Sequence, residues 1–346
     1  LDRAPYELHP DAHVESIGVS AQMNHNERAL GNLRSWPMLL LFFVADVIKR
    51  MGFGKQMVRI AMGRMFTEKI KASAFSGYTP TEHDVIVATF AKSGTNWMLQ
   101  IAQQIACRGE AEFDHIHDVA PWPDAPRPGP IALDDLGPQQ TSPTGLRVIK
   151  THLATNHVPY CEKAKYLTVI RDPKEVLVSS YYFLGGIMGV LEHVTIDDWY
   201  DLFMREGGLG ESWAEHTAGY WEWRDKENVL VLNYGSIKEE PVASIERVAA
   251  TMGVALSADE LAQVVERASF QYMQARESQF APPPMPFSKS DQPVLMVRRG
   301  ATGDSGELLS PQQQASVDRL CMDALNKLGS DFPYTLSFTL ATGKTG

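Results

Sequence analysis

Between Phe90 and Trp97 the chain reads Phe-Ala-Lys-Ser-Gly-Thr-Asn-Trp, a combination suited to holding an anion. A short β-branched run, Asp84 to Phe90, leads into it, and a helix-like stretch from Thr95 to Cys107 follows. A glycine turn that enters a helix leaves backbone N–H groups unpaired and pointing outward, and the helix dipole adds to their pull on negative charge. Lys92 brings a mobile cation, and Ser93 and Thr95 bring hydroxyl donors. A plain strand-to-helix connection with a solvated lysine fits Lys92 to Thr95 as well. Lys150-Thr-His152 places a cation and an imidazole two residues apart at a strand end, and a neutral imidazole is suited to taking a proton near neutral pH. In Arg171-Asp-Pro173 the proline fits a helix's first turn. An arginine there opposes the dipole, so a bound anion explains it better than solvation.

Rival motifs lack the spacing their chemistry requires. The nucleoside-triphosphatase loop needs glycine, four residues, then Gly-Lys and a hydroxyl that holds magnesium; here the lysine precedes the glycine. Gly52-Phe-Gly-Lys55 and Gly185-Gly-Ile-Met-Gly189 fit neither that loop nor a dinucleotide fingerprint. His115 and His117 form an H-x-H pair that hints at metal but reads better as a surface loop. No carboxylate-rich ligand cluster lies beside the other motifs, so no metal is expected.

These residues need a scaffold, and the sequence supplies one. The 346 residues are 44% hydrophobic and 21% charged, an ordinary globular make-up. Lys and Arg number 32 against 42 Asp and Glu, a net charge of −10, which argues against a nucleic-acid partner. Any anion must therefore be held by a local basic pocket. Three scattered cysteines (Cys107, Cys161, Cys321) suggest neither a disulfide framework nor a zinc site, and they fit a reducing, cytoplasmic setting. Short apolar runs at 84–90, 146–150, 166–170 and 229–233 alternate with helices expected at 95–107, from 173 toward 183, at 241–252, 258–267 and 311–328. That alternation implies a parallel sheet covered on both faces. The prolines from Pro121 to Pro143 mark a loop. Residues 1–77 read as a helical lead-in. Its apolar run, Trp36 to Ile48, is too short to span a bilayer. It suits a helix packed on the body of the protein, with a peripheral membrane contact or a substrate lid as the alternatives.

Lys92-Ser-Gly-Thr-Asn-Trp97 resembles the sulfate-binding loop of the cytosolic-type sulfotransferases, which move a sulfuryl group from 3′-phosphoadenosine-5′-phosphosulfate (PAPS) to an acceptor. Three more segments match that family in the same order: Lys150-Thr-His152-Leu, Arg171 to Ser179, and Arg298-Arg-Gly-Ala-Thr-Gly-Asp304. The resemblance covers roughly residues 80–330 and suits a divergent, bacterial-like member. It implies a P-loop-like, three-layer α/β/α fold around a central parallel sheet over residues 78–346, with residues 1–77 as a helical N-terminal extension.

By the same resemblance His152 is the general base, and Lys92 and Lys150 flank the transferred group. Ser93, Gly94, Thr95 and Asn96 cradle the 5′-phosphosulfate. Arg171, Ser179, Arg298, Arg299 and Gly300 hold the 3′-phosphate, with Met296 and Val297 leading into that late loop. Trp97 and Phe270 face adenine with Tyr234 nearby, and Phe183 faces the acceptor. The proline-rich stretch from Phe280 to Phe287 is a candidate lid. Four departures stand out: Asn96 for a threonine, Ala268 for a threonine near adenine, Ser305-Gly306 for tryptophan and lysine, and Pro311 with Ala315 for valine and glutamate in a dimer-forming segment. The expected reaction is sulfuryl transfer from PAPS, releasing the 3′,5′-bisphosphate PAP, to a hydroxyl of a small or lipid-like acceptor. A kinase-like phosphotransferase, or an interaction module carrying a decayed enzyme, are the alternatives.

Overall fold

The computed structural model describes residues 44, 47–65, 67–126, 129–205, 209–282, 296 and 304–341. The chain divides into two compact units, Leu1–Ile48 and Lys49–Gly346. All the strands and helices below lie in the second. Most of the apolar run from Trp36, together with Val297 to Gly300 and Pro283 to Phe287, lies outside the described residues.

Four strands form the sheet: β1 (Asp84–Ala88), β2 (Arg147–Thr151), β3 (Lys165–Ile170) and β4 (Val229–Asn233). They pair in parallel in the order β2-β1-β3-β4. Among the described residues the helices of ten or more residues are α1 (Gly54–Met65), α2 (Thr95–Ala106), α3 (Pro173–Ile187), α4 (Leu209–Glu222), α5 (Pro241–Met252), α6 (Ala258–Arg267) and α7 (Pro311–Lys327).

Alternation along the strands sends side chains to two faces. Val85, Val87, Val148, Leu167, Val169, Leu230 and Leu232 pack with α2, α5 and α6 in one core. Ile86, Ala88, Ile149 and Tyr166 pack with Leu153 and Tyr220 of α4 in another. A third core joins Ile170 to Leu177 of α3, Trp213 of α4, Val317 of α7 and Val58 of α1. The result is the expected α/β/α arrangement.

The expected helices at 95–107, 241–252, 258–267 and 311–328 agree with α2, α5, α6 and α7 to within a residue. α3 runs to Ile187, one turn beyond its expected end. Within the proline-rich stretch, Gly137–Thr141 forms a helical turn. Pro138 occupies its first positions, where no N–H is required, so a proline there does not exclude a helix. Pro311 likewise opens α7 behind the Ser310 cap. Phe280, the first residue of the expected lid, is in the core at 1% exposure and edge-on to Phe113. Among the described residues no helix is long and apolar enough to cross a membrane.

Candidate active site

β1 and β3 are neighbours, yet the helices that follow them, α2 and α3, pack in different cores. The carboxyl ends of two such strands leave a crevice where α/β proteins bind ligands. The first three sequence motifs converge there: Lys92 to Trp97 follow β1, His152 follows β2, and Arg171 follows β3. Tyr234 follows β4.

The turn after β1 is drawn tight. Ser93 N–H donates to Phe90 O at 3.1 Å, and two positive φ angles, 69° at Lys92 and 95° at Gly94, reverse the chain into α2. A Cβ on Gly94 would lie 2.9 Å from the Tyr234 ring, so position 94 needs glycine for space as well as for φ. The Ser93 hydroxyl is buried and has no partner among the described residues. An orphaned donor at a helix start fits an incoming phosphate or sulfate oxygen. The Thr95 hydroxyl meets that of Thr89 at 2.6 Å. The Asn96 amide donates to Phe280 O at 3.1 Å, so what Asn96 holds ready for an anion is its backbone N–H. Lys92 Nζ lies 3.6 Å from the Phe183 ring centroid and 3.5 Å from Met296 Sδ, which brings three of the expected residues together.

His152 has its tautomer fixed by its own hydrogen bond. Its Nδ1 lies 2.8 Å from Thr89 O. A carbonyl only accepts, so Nδ1 carries the proton and Nε2 keeps its lone pair. Burial first, then the positive charge of Lys150, pushes the imidazole down to about 3; it is neutral across the physiological range. Lys150 is also buried, and desolvation lowers its ammonium to about 7 against the opposing pull of Asp124. The ammonium sits 3.5 Å from the Trp122 ring centroid and 3.3 Å from His117 Nε2. Trp122 also stands edge-on to His152, with ring centroids 5.4 Å apart.

β2 is an edge strand, and a segment of the proline-rich stretch covers its edge at the site. Lys150 N–H donates to Pro121 O at 2.8 Å, and His152 N–H donates to Asp124 Oδ2 at 3.0 Å. A carboxylate here does the work of the next strand's carbonyl, and Trp122 lies between the two bonds.

Arg171 donates through Nη1 to Lys92 O and through Nε to Glu175, each at 3.0 Å, and stacks 4.4 Å from the Tyr234 ring centroid. It therefore braces the first turn from below. Arg171 precedes α3 and reaches Glu175 on it, and Glu175, Ser179 and Phe183 recur every fourth residue along α3 and so share one face. Ser179 is half-buried, whereas neighbouring Ser180 is occupied by the Trp199 indole. Trp97 stands edge-on to Tyr234 at 5.5 Å and donates to Ala268 O at 2.8 Å, while Phe270 opens a short helix two residues on. Val297, Arg298, Arg299 and Gly300 lie outside the described residues.

Sequence reasoning missed Thr89, Trp122, Asp124 and His117. Of the H-x-H pair, His117 is half-buried, stacks on Trp122 and touches Lys150. Its signal was adjacency to a tryptophan held between two prolines. Among the described residues no group of three or more His, Cys, Asp or Glu side chains could hold a metal ion. His216 is a further buried imidazole on α4, edge-on to Phe90 at 5.9 Å, and burial drives it down to about 3.

The model of a family described as the sulfotransferase domain matches residues 82–329. Among curated proteins, sulfotransferase 2A1 of Macaca fascicularis is 26% identical over 73% of this chain and 88% of its own length. The 3-alpha-hydroxysteroid sulfotransferase of Cavia porcellus is 27% identical over 75% and 90%. Among solved structures, retinol dehydratase in a complex with retinol and PAP matches with a TM-score of 0.61 at 18% identity, over 76% of this chain and 86% of that one. Mouse sulfotransferase SULT7A1 complexed with PAP gives 0.58 at 22% identity, over 79% and 94%.

Proposed function

Because the chain belongs to the sulfotransferase domain family, we propose that it transfers a sulfuryl group from PAPS to a hydroxyl of a small or lipid-like acceptor, with His152 as general base. The observation that carries the reading is the Nδ1–H bond from His152 to the Thr89 carbonyl. It leaves Nε2 as the basic nitrogen at the mouth of an anion-suited turn.

In the proposed step the acceptor oxygen gives its proton to Nε2 and forms a bond to sulfur. The bond between sulfur and the bridging phosphate oxygen breaks, and its electron pair leaves with PAP. The imidazolium that forms is held by the Thr89 carbonyl. Lys92 meets the charge that grows on the bridging oxygen, and Lys150 meets charge on the sulfuryl or acceptor side; such groups act by favouring the transition state over the ground state. The residues fit a phosphosulfate at Ser93 to Asn96, where the orphaned Ser93 hydroxyl and the first N–H groups of α2 gather. A transferred sulfuryl carries less charge than a terminal phosphate, so two lysines and backbone donors take the part a metal plays in phosphoryl transfer. Arg171, just before α3, and Ser179 on it are proposed for the 3′-phosphate, and Trp97 and Phe270 for adenine. Unpaired Cys107, Cys161 and Cys321 support a reducing, cytoplasmic setting.

The test is direct. Incubation with PAPS and a panel of phenols, sterols, lipid alcohols and sugars is expected to add one sulfo group to at least one acceptor, read by mass spectrometry. Titration calorimetry is expected to show tight PAP and weak ATP-Mg²⁺ binding. The reverse order of affinity would favour a phosphotransferase and end this reading.

A further inference from the structure

Asp124 enters none of the motifs, yet it is 5% exposed and its Oδ2 accepts the backbone N–H that positions His152. A buried carboxylate beside a strand end needs a reason, because burial disfavours its charge. Burial does push this carboxyl up, and the His152 N–H, with Thr151 and Trp122 alongside, opposes that push. The second reason lies two residues back on β2. The Lys150 ammonium is buried at 5% exposure between the Trp122 face and His117 Nε2. The titratable groups acting around it are His117, His152 and Asp124. The histidines are neutral or positive, so among the described residues Asp124 is the group there that can supply negative charge.

We propose that Asp124 is a positioning residue with two tasks: it closes the open edge of β2 at His152, and it provides the counter-charge for Lys150. The sequence Pro121-Trp-Pro-Asp124 suits both tasks. Its prolines remove N–H groups that would have no partner on this side, its tryptophan roofs the ammonium, and its aspartate ends the segment level with the base. With burial and Asp124 acting together the ammonium stands at about 7, and without the pull of Asp124 it would fall lower still.

Two substitutions separate the tasks. Asp124→Asn keeps an oxygen to accept the His152 N–H but removes the charge. Asp124→Glu keeps the charge but displaces the acceptor. The readout is the titration of Lys150 itself, by NMR of ¹³C-methylated lysines in the nucleotide-free protein, with the signal assigned through Lys150→Arg. Asn is expected to lower the proton affinity of Lys150 about tenfold or more, while Glu leaves it near wild type. With a sulfated donor and a working acceptor, the alkaline limb of kcat should move to lower pH for Asn. Glu should lower kcat at every pH without moving that limb. PAP affinity is expected to stay the same for both. An unchanged Lys150 titration in Asp124→Asn would overturn the counter-charge. Full kcat with Glu would overturn the anchoring. The role rests on the sulfuryl-transfer reading, but the lysine titration needs no substrate, so the two can fail separately.

Discussion

The role proposed for His152 turns on which nitrogen keeps its proton, and Thr89 decides it. His152→Ala is expected to lower kcat by about 10²–10⁴-fold, the range for losing a general base. PAP should bind as before, because no nucleotide contact is assigned to the imidazole. Calorimetry beside a turnover assay checks both. The pH dependence has a definite sign. Above about 3 the His152 imidazole is neutral and can accept a proton; above about 7 the free enzyme's Lys150 loses its charge. The ratio kcat/KM, which reports the free enzyme, is therefore expected to fall on the alkaline side of neutrality. The limb in kcat should sit at higher pH, because a bound anion favours the ammonium. A flat kcat/KM from pH 6 to 9 would remove Lys150 from the mechanism. Lys92, Lys150, His152 and Arg171 were legible because each sits at a strand end with its motif around it. Thr89 and Asp124 were not, since the partners that give them meaning lie 63 and 28 residues away along the chain.

Among the elements, β1 and β2 are tied at the end of the sheet away from the site. Asp84 and Arg147, 0% and 3% exposed, pair at 2.8 Å, and Arg147 also donates to the carbonyls of Leu133 and Asp135. Removing one partner leaves a buried charge without its counter-ion. Asp84→Ala is expected to cost about 3–5 kcal/mol of stability, read as a lower urea midpoint. The folded fraction should retain its PAP affinity, since the lesion lies across the sheet from the crevice. The strands were legible from their β-branched runs, and α5 to α7 from apolar spacing. α4 was not. It buries His216 and Thr217 to about 2% exposure beside Trp213 and Tyr220, so its inward face is part polar and the periodic signal is broken. The Pro121–Asp124 segment escaped notice for a related reason. Prolines announce a loop, and only the neighbouring strand shows that this loop substitutes for one.

For the molecule as a whole, a net charge of −10 coexists with a cleft lined by Lys92, Lys150 and Arg171. The sheet gathers these cations by ending its strands on one side, where Glu175 pairs with Arg171 and Asp124 accepts from His152 N–H. The division at Ile48 locates a clean cut. Removing residues 1–48 is expected to leave PAP affinity intact by calorimetry, because every described site residue lies between Thr89 and Met296. A cut at residue 77 should fail, since it strips Val58 and Phe75 from two cores. The chain alone suggests an extension ending at residue 77, and within it Val58 and Phe75 pack into two of the cores. Thr89 carries the last consequence. Its N–H holds Thr151, its carbonyl holds His152, and its hydroxyl holds Thr95. Donor cradle and proton acceptor are thus geared through one residue. A shift in the first turn of α2 therefore bears on the carbonyl that fixes the His152 tautomer, through two hydrogen bonds and the atoms of one residue.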